Sequence, residues 1–254
     1  MSQLIQNVHK TQEYFLWALS KDVLEEKGVI AFAPGITSPN LNFALQTGDF
    51  KDDRDAIINI VENFFKTRGL SWSWMMNPLR DQDELKAGLE SRGFSLLPPY
   101  PVMVYEFGIS ILSDALKNFD IREVSSGDLS DWILPLKEGF KATEVDALLY
   151  REAHQRALQK KAGFRHFIAY VAGVPVSAAT LSLSSYGARL DDIGTKPSFQ
   201  RKGFATSVIL YAMKVAQELG YPWVCLEASD EGMPLYTKLG FKELYRNEIY
   251  SKKS

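Results

Sequence analysis

Apolar residues at Leu4, Ile5, Val8, Phe15, Leu16 and Leu19 recur at helical spacing and predict a helix over residues 4–20. A short apolar run at 29–33, ended by Pro34-Gly35, predicts a buried strand, and 41–45 a second one stopped by Gly48. Asp52 and Asp53 read as caps of a helix carrying Ile57, Ile60, Val61, Phe64 and Phe65, which ends near Arg68-Gly69. Alternation over 71–76 predicts a strand, 81–92 a helix leading to Gly93-Phe94, and 102–107 another strand.

A second cycle follows. Residues 121–124 read as a strand, 128–140 as one or two short helices, and 143–161 as a helix opened by Thr143 with Asp146 three positions on. A hairpin is expected from 164–171 and 174–183 around Ala172-Gly173, then a strand over 189–195. Phe204, Val208, Tyr211, Val215 and Leu219 share one face of a helix that Gly220 stops. A strand at 223–228, a short helix at 231–239 and a final strand at 241–250 complete the chain. Helices and strands alternate throughout, so the class is α/β or α+β, with a boundary between Phe107 and Asp120.

The two cycles look related. Leu89-Glu-Ser-Arg-Gly93-Phe94 lies over Tyr236-Thr-Lys-Leu-Gly240-Phe241 in a register of 147 residues, the separation of Gly93 and Gly240. Their differences carry the chemistry. The second half enters its long helix with Gln200-Arg201-Lys202-Gly203, although cations at a helix N-terminus oppose the macrodipole at about 0.3–1 kcal/mol each. A glycine that admits close backbone approach, beside those cations, suits an anion held on exposed N–H groups. Taken alone, the same turn also reads as an ordinary basic surface loop. The first half has Asp52, Asp53 and Asp55 there, which would repel a phosphate, and Leu89 where Tyr236 stands, so it looks chemically silent.

Composition narrows the choice of partner. Over 254 residues the formal net charge is −2, which gives no support for nucleic acid and leaves a small or metabolic substrate as the default. One cysteine, Cys225, excludes an internal disulfide, and with three scattered histidines it argues against a structural metal site. Cys225 reads as a buried small hydrophobe, His154 as lying on a polar helix face, His166 as a strand residue, and Lys160-Lys161 as complementing the end of their own helix. Lys10 and Glu13 interrupt the first apolar residues, and no run approaches the roughly 18 apolar residues needed to span a bilayer. A cytoplasmic protein without a membrane partner is expected.

The segment Gln200-Arg201-Lys202-Gly203-Phe204-Ala205, with Ile193-Gly194-Thr195 and Pro197 before it, resembles the Gln/Arg-x-x-Gly-x-Gly/Ala signature of the GNAT superfamily of N-acetyltransferases. Leu235-Tyr236-Thr237-Lys238-Leu239-Gly240-Phe241 is similar to a second feature of that family. The resemblance covers residues 119–254, and residues 1–115 look like a degenerate second copy. It implies tandem domains, each a mixed, mostly antiparallel sheet flanked by helices. It implies acetyl-CoA as co-substrate, no metal, and a small-molecule or peptide amine as acceptor, in a monomer or weak dimer. The cofactor set it implies is Ile193, Gly194, Thr195, Gln200, Arg201, Lys202, Gly203, Phe204, Ala205, Thr206 and Ser229; the family often has Asn near the Ser229 position. Tyr236 would be the proton donor to the leaving thiolate. Glu227, Asp192 or Asp191 would be the base, and strand alternation sends the two aspartates to opposite faces. A CoA-binding regulator that turns nothing over is the rival expectation.

Overall fold

The computed structural model describes every residue except 27, 39, 49–53, 81, 109–118, 125–127 and 253–254. Helix α1 (Ser2–Leu19) leads into strands β1 (Asp22–Glu26), β2 (Val29–Ala33) and β3 (Phe43–Gln46), helix α2 (Arg54–Lys66) and strand β4 (Ser73–Met75). Helix α3 (Asp83–Glu90), β5 (Phe94–Leu96) and β6 (Tyr100–Glu106) complete the first half. The second runs β7 (Asp120–Val124), α4 (Ser130–Gly139), α5 (Glu144–Gln159), β8 (Gly163–Val171), β9 (Val174–Ser184), β10 (Gly187–Thr195), α6 (Phe204–Glu218) and β11 (Trp223–Glu227). It closes with α7 (Met233–Lys238), β12 (Lys242–Asn247) and β13 (Ile249–Lys252). The expected caps Asp52 and Asp53 lie outside the described residues; Asp55 sits in the first turn of α2. The expected cap of α5 is present, with the Asp146 N–H donating to Thr143 Oγ1 at 3.1 Å.

The strands form two mixed sheets, and the halves exchange a strand. The six-stranded sheet has the order β1-β2-β3-β4-β13-β5; the seven-stranded sheet has the order β12-β6-β11-β10-β9-β8-β7. Thus β6, from the first half, lies between β11 and β12, while β13, from the chain's end, lies between β4 and β5. The single final strand expected over 241–250 is in fact two strands in different sheets. The register of 147 that superimposes Gly93 on Gly240 also carries β13 onto β6, so the exchange is reciprocal.

Helix α1 fills the space between the sheets, and for that reason its apolar surface is not confined to one stripe. Leu16 packs with Phe32, Phe43, Leu45, Met75 and Ile249 of the first sheet. Val8 packs with Val102, Val104, Trp223 and Cys225 of the second. Phe15 stacks on Phe164 at 5.5 Å between ring centroids. Lys160 at the end of α5 donates its Nζ to Ser20 O at 2.6 Å, so it serves the carbonyl end of α1 rather than that of its own helix. In the second sheet, alternate residues Phe167, Leu181, Leu190, Val224 and Leu226 form a core with α6. On the opposite face Ile168 and Ala178 pack with α4.

Candidate functional site

Parallel pairing between β10 and β11 is confined to Ala188 with Val224 and Arg189 with Cys225. Beyond Arg189 the strands part. β10 continues beside β9, with Gly194 opposite Ala178 and Thr195 opposite Ser177, and its other edge is left open through Ile193–Thr195. An open strand edge can accept an extended amide chain as an added strand. Helix α4 presses on the bend from one side: a Cβ on Gly194 would meet Leu136 Cδ2 at 2.7 Å, and one on Gly139 would meet Thr195 O at 3.1 Å.

At the far end of that edge a 3-10 turn, Pro197–Phe199, leads into α6. Gly203 caps the helix with φ 94°, a left-handed geometry that glycine adopts without strain. It has no side chain to bond the first N–H groups, and the first turn holds no acidic residue. An α-helix leaves four N–H groups unpaired at this end, and they present partial positive charge outward. Gln200 donates its side-chain amide to Thr195 O at 3.3 Å, and Lys202 Nζ donates to Ser198 O at 2.9 Å, which fixes the turn. Arg201 and Lys202 are exposed, while Phe204 is buried against Phe119 at 4.4 Å.

The other end of the cleft is acidic on one face and phenolic on the other. Tyr236, on α7, is buried with α6 and the sheet core. Burial, with a smaller contribution from Asp191, pushes its phenol up to about 12. Ser229 is exposed and accepts from the Gly232 N–H at 3.1 Å, shaping the entry to α7. Asp191 takes both oxygens to Arg189 Nε, at 2.9 and 3.0 Å. Arg189 Nη2 also reaches Glu227 Oε2 at 3.4 Å. Burial opposes the charge on this guanidinium, but the two carboxylates outweigh it and hold it protonated.

Asp192 departs from the expected alternation. A bulge between Asp191 and Gly194, with Asp192 at φ 54°, turns its carboxylate under α5 instead of across the sheet. There Tyr150 donates its hydroxyl to Oδ1 at 2.5 Å, and His154 Nε2 lies 3.4 Å from Oδ2. Burial first, then the neighbouring Asp191, raises Asp192 to about 7. His154 and His166 are both buried, with His154 Nδ1 2.9 Å from His166 Nε2. His154 therefore does not lie on a polar face. Burial keeps both rings neutral, lowering His166 to about 3. Cys225 is buried, and burial raises its thiol to about 11, the behaviour of an inert core residue.

The structure thus brings Glu227, Asp191 and Tyr236 to the parted strands and draws Asp192 aside. It adds three residues that the sequence reading missed: Arg189, Gln12 and Asn247. Gln12, on α1, donates its amide to Glu227 Oε1 at 2.5 Å; Asn247, on β12, donates to the same oxygen. A signal for Gln12 was present. Thr11 and Gln12 fill the middle of the helical spacing that runs from Val8 to Phe15 and Leu16, so polar residues sit on a face that must be buried.

Residues 162–243 match the family model described as an acetyltransferase (GNAT) domain. Among solved structures, a GCN5-related N-acetyltransferase from Kribbella flavida is similar over 97% of this chain and 95% of its own, with TM-score 0.71 and 17% identity. Another, from Sphaerobacter thermophilus, covers 89% of this chain and 77% of its own at TM-score 0.63 and 13% identity. A tandem GNAT protein from the clavulanic acid biosynthesis pathway is similar over 87% of this chain and 77% of its own, with TM-score 0.62 and 12% identity. No curated protein matches the sequence. Among the described residues, no helix is long and apolar enough to cross a membrane.

Proposed function

We propose that this chain is a two-domain GNAT-superfamily protein that transfers an acetyl group from acetyl-CoA to a primary amine of a small molecule or peptide, a reading supported by the acetyltransferase (GNAT) domain match at residues 162–243 and by the shared fold. A fold hosts many activities, so the reading rests on the site. One observation carries it: β10 and β11 part after Arg189 and Cys225, between an uncapped helix N-terminus at one end and the Tyr236 and Glu227 side chains at the other. In this reading the pyrophosphate lies on the N–H groups of residues 204–206, with Arg201 and Lys202 as counter-charges. The pantetheine arm runs along the free edge of Ile193–Thr195 and bonds its amides to the backbone.

The acceptor amine attacks the thioester carbon as the free base, having passed a proton to the Glu227 carboxylate directly or through water. A tetrahedral adduct forms as the carbonyl π bond breaks. Its collapse restores the carbonyl and breaks the C–S bond, and the adduct nitrogen gives up its second proton through water, which reprotonates the Tyr236 phenolate, leaving a neutral amide and the CoA sulfur. Tyr236, whose phenol keeps its proton at neutral pH, donates a hydrogen bond and then the proton to sulfur. Asp192 supports the bulge that bends β10 towards the thioester. No metal is needed for these steps.

A CoA-binding regulator without turnover is the second reading. It is favoured by the engagement of Asp191 with Arg189 and of Asp192 with Tyr150, which leaves neither of them a free base. A thiol-release assay over polyamines, amino acids, peptides and aminoglycosides separates the two. Release with at least one amine class is expected. Tight CoA binding with no release across the panel would sink the enzyme reading.

A further inference from the structure

The amide cluster around Glu227 gives the N-terminal half a task in the chemistry. Oε1 of Glu227 accepts from Gln12 Nε2 at 2.5 Å and from Asn247 Nδ2, and Gln12 Oε1 accepts from Asn247 Nδ2 at 3.1 Å. Two side chains from two other elements therefore close on one carboxylate oxygen. Gln12 comes from α1, Asn247 from β12 and Glu227 from the end of β11. Among the described residues, the second oxygen, Oε2, pairs with Arg189 Nη2 at 3.4 Å. Gln12 and Asn247 are buried at 3% and 1% exposure, whereas the Glu227 side chain keeps 30%. The clamp is thus sealed, while the Glu227 side chain keeps solvent access at the end of β11, the strand that parts from β10.

A carboxylate oxygen that already accepts two amide protons has little lone-pair capacity left for a third. We infer that Gln12 of the N-terminal helix, with Asn247, is a positioning residue that saturates Oε1 of Glu227 and leaves Oε2 as the atom that receives the acceptor amine's proton. This rests on the acyl-transfer reading above and deepens it. Thr11, one position before Gln12, is buried too, but its hydroxyl donates to Val8 O at 2.7 Å within α1 and lies 3.4 Å from Cys225 Sγ on the same strand as Glu227. Burying an amide without a partner costs stability, so a helix between two sheets would carry an apolar residue at position 12 unless the amide had a use.

The test uses the full chain. Gln12→Met keeps side-chain length and helix propensity but removes both hydrogen-bonding groups. The expected result is a fall in kcat for thiol release of at least tenfold, with acetyl-CoA affinity and melting temperature near wild type. In a Glu227→Gln background the same substitution should add almost nothing, because its effect acts through that carboxylate. Unchanged kcat for Gln12→Met, or the same loss in both backgrounds, would overturn the inference. A second readout does not need turnover: the Gln12 side-chain amide proton, bonded to a carboxylate, should resonate downfield and move upfield in Glu227→Gln. No movement overturns the clamp even if the wild type acetylates nothing, whereas movement without turnover keeps the clamp and removes the transferase reading.

Discussion

From β1 to β6 and from β8 to β13 the two halves hold the same elements in the same order but put different side chains at equivalent places. After the strand and helix in each half stands a left-handed glycine, Gly93 at φ 84° and Gly240 at φ 95°, followed by Phe94 or Phe241. Four residues before those glycines, Leu89 is fully buried in the first core, and Tyr236 is buried in the second, where the charge of Asp191 acts on its phenol. The sheets differ too. In the first, β3 and β4 stay paired through Phe43 with Ser73, Ala44 with Trp74 and Leu45 with Met75. In the second, the corresponding parallel pair, β10 and β11, parts after two residues. A closed strand pair can only be core; a parted one leaves an edge for a ligand. The first half nevertheless contributes α1 and β6 to the packing of the second.

The sharpest test of that contrast is the paired substitution Tyr236→Phe and Leu89→Ala. Loss of the phenol should lower kcat by about 10²–10⁴-fold, the usual range for a positioned acid, with CoA affinity kept. Leu89→Ala should instead cost about 2–5 kcal/mol of stability by opening a core cavity, read by denaturant unfolding, and leave kcat per folded molecule near wild type. Equal effects on activity would erase the distinction between the halves. A smaller effect is expected at the helix entry. Arg201→Glu combined with Lys202→Glu should weaken acetyl-CoA binding by about 10–100-fold in calorimetry, since two attractive charges become repulsive ones at roughly a kcal/mol or more each. The fold should survive, because both side chains are exposed.

The smallest effect belongs to the bulge. Asp192 is raised to about 7 by burial and by Asp191, so in the folded state it holds a proton that the unfolded chain has released above pH about 4. Its contribution is therefore lost as pH rises from about 4 through about 7. Buried His154 and His166 act in the opposite sense: they stay neutral in the fold, so they cost stability as pH falls below about 6.5. Asp192→Asn should flatten the decline on the alkaline side, so that its melting temperature gains on wild type between pH 4 and 7. A parallel pair of curves would mean that Asp192 is ionised in the fold throughout.

Most elements, the pseudo-repeat and the helix-entry turn could be read from the chain because they rest on short-range rules. Periodicity gave α2, α5, α6 and the β8–β9 hairpin; Thr143 with Asp146 gave a cap; Gly203 marked the start of α6, which has no side-chain cap. What the sequence could not reveal depends on contacts between distant residues. The exchange of β6 and β13 leaves no local trace, because an apolar strand pairs as well with one sheet as with another. The bulge at Asp192 broke the alternation that assigned the two aspartates to opposite faces. Gln12 lies 215 residues from Glu227, and only the wedging of α1 between the sheets brings them together. Sequence by itself determined which segments form elements and where α6 begins, since those follow from residues within a few positions. Tertiary structure alone decided which partners hold Asp192 and Glu227, since that depends on the order in which strands and helices pack.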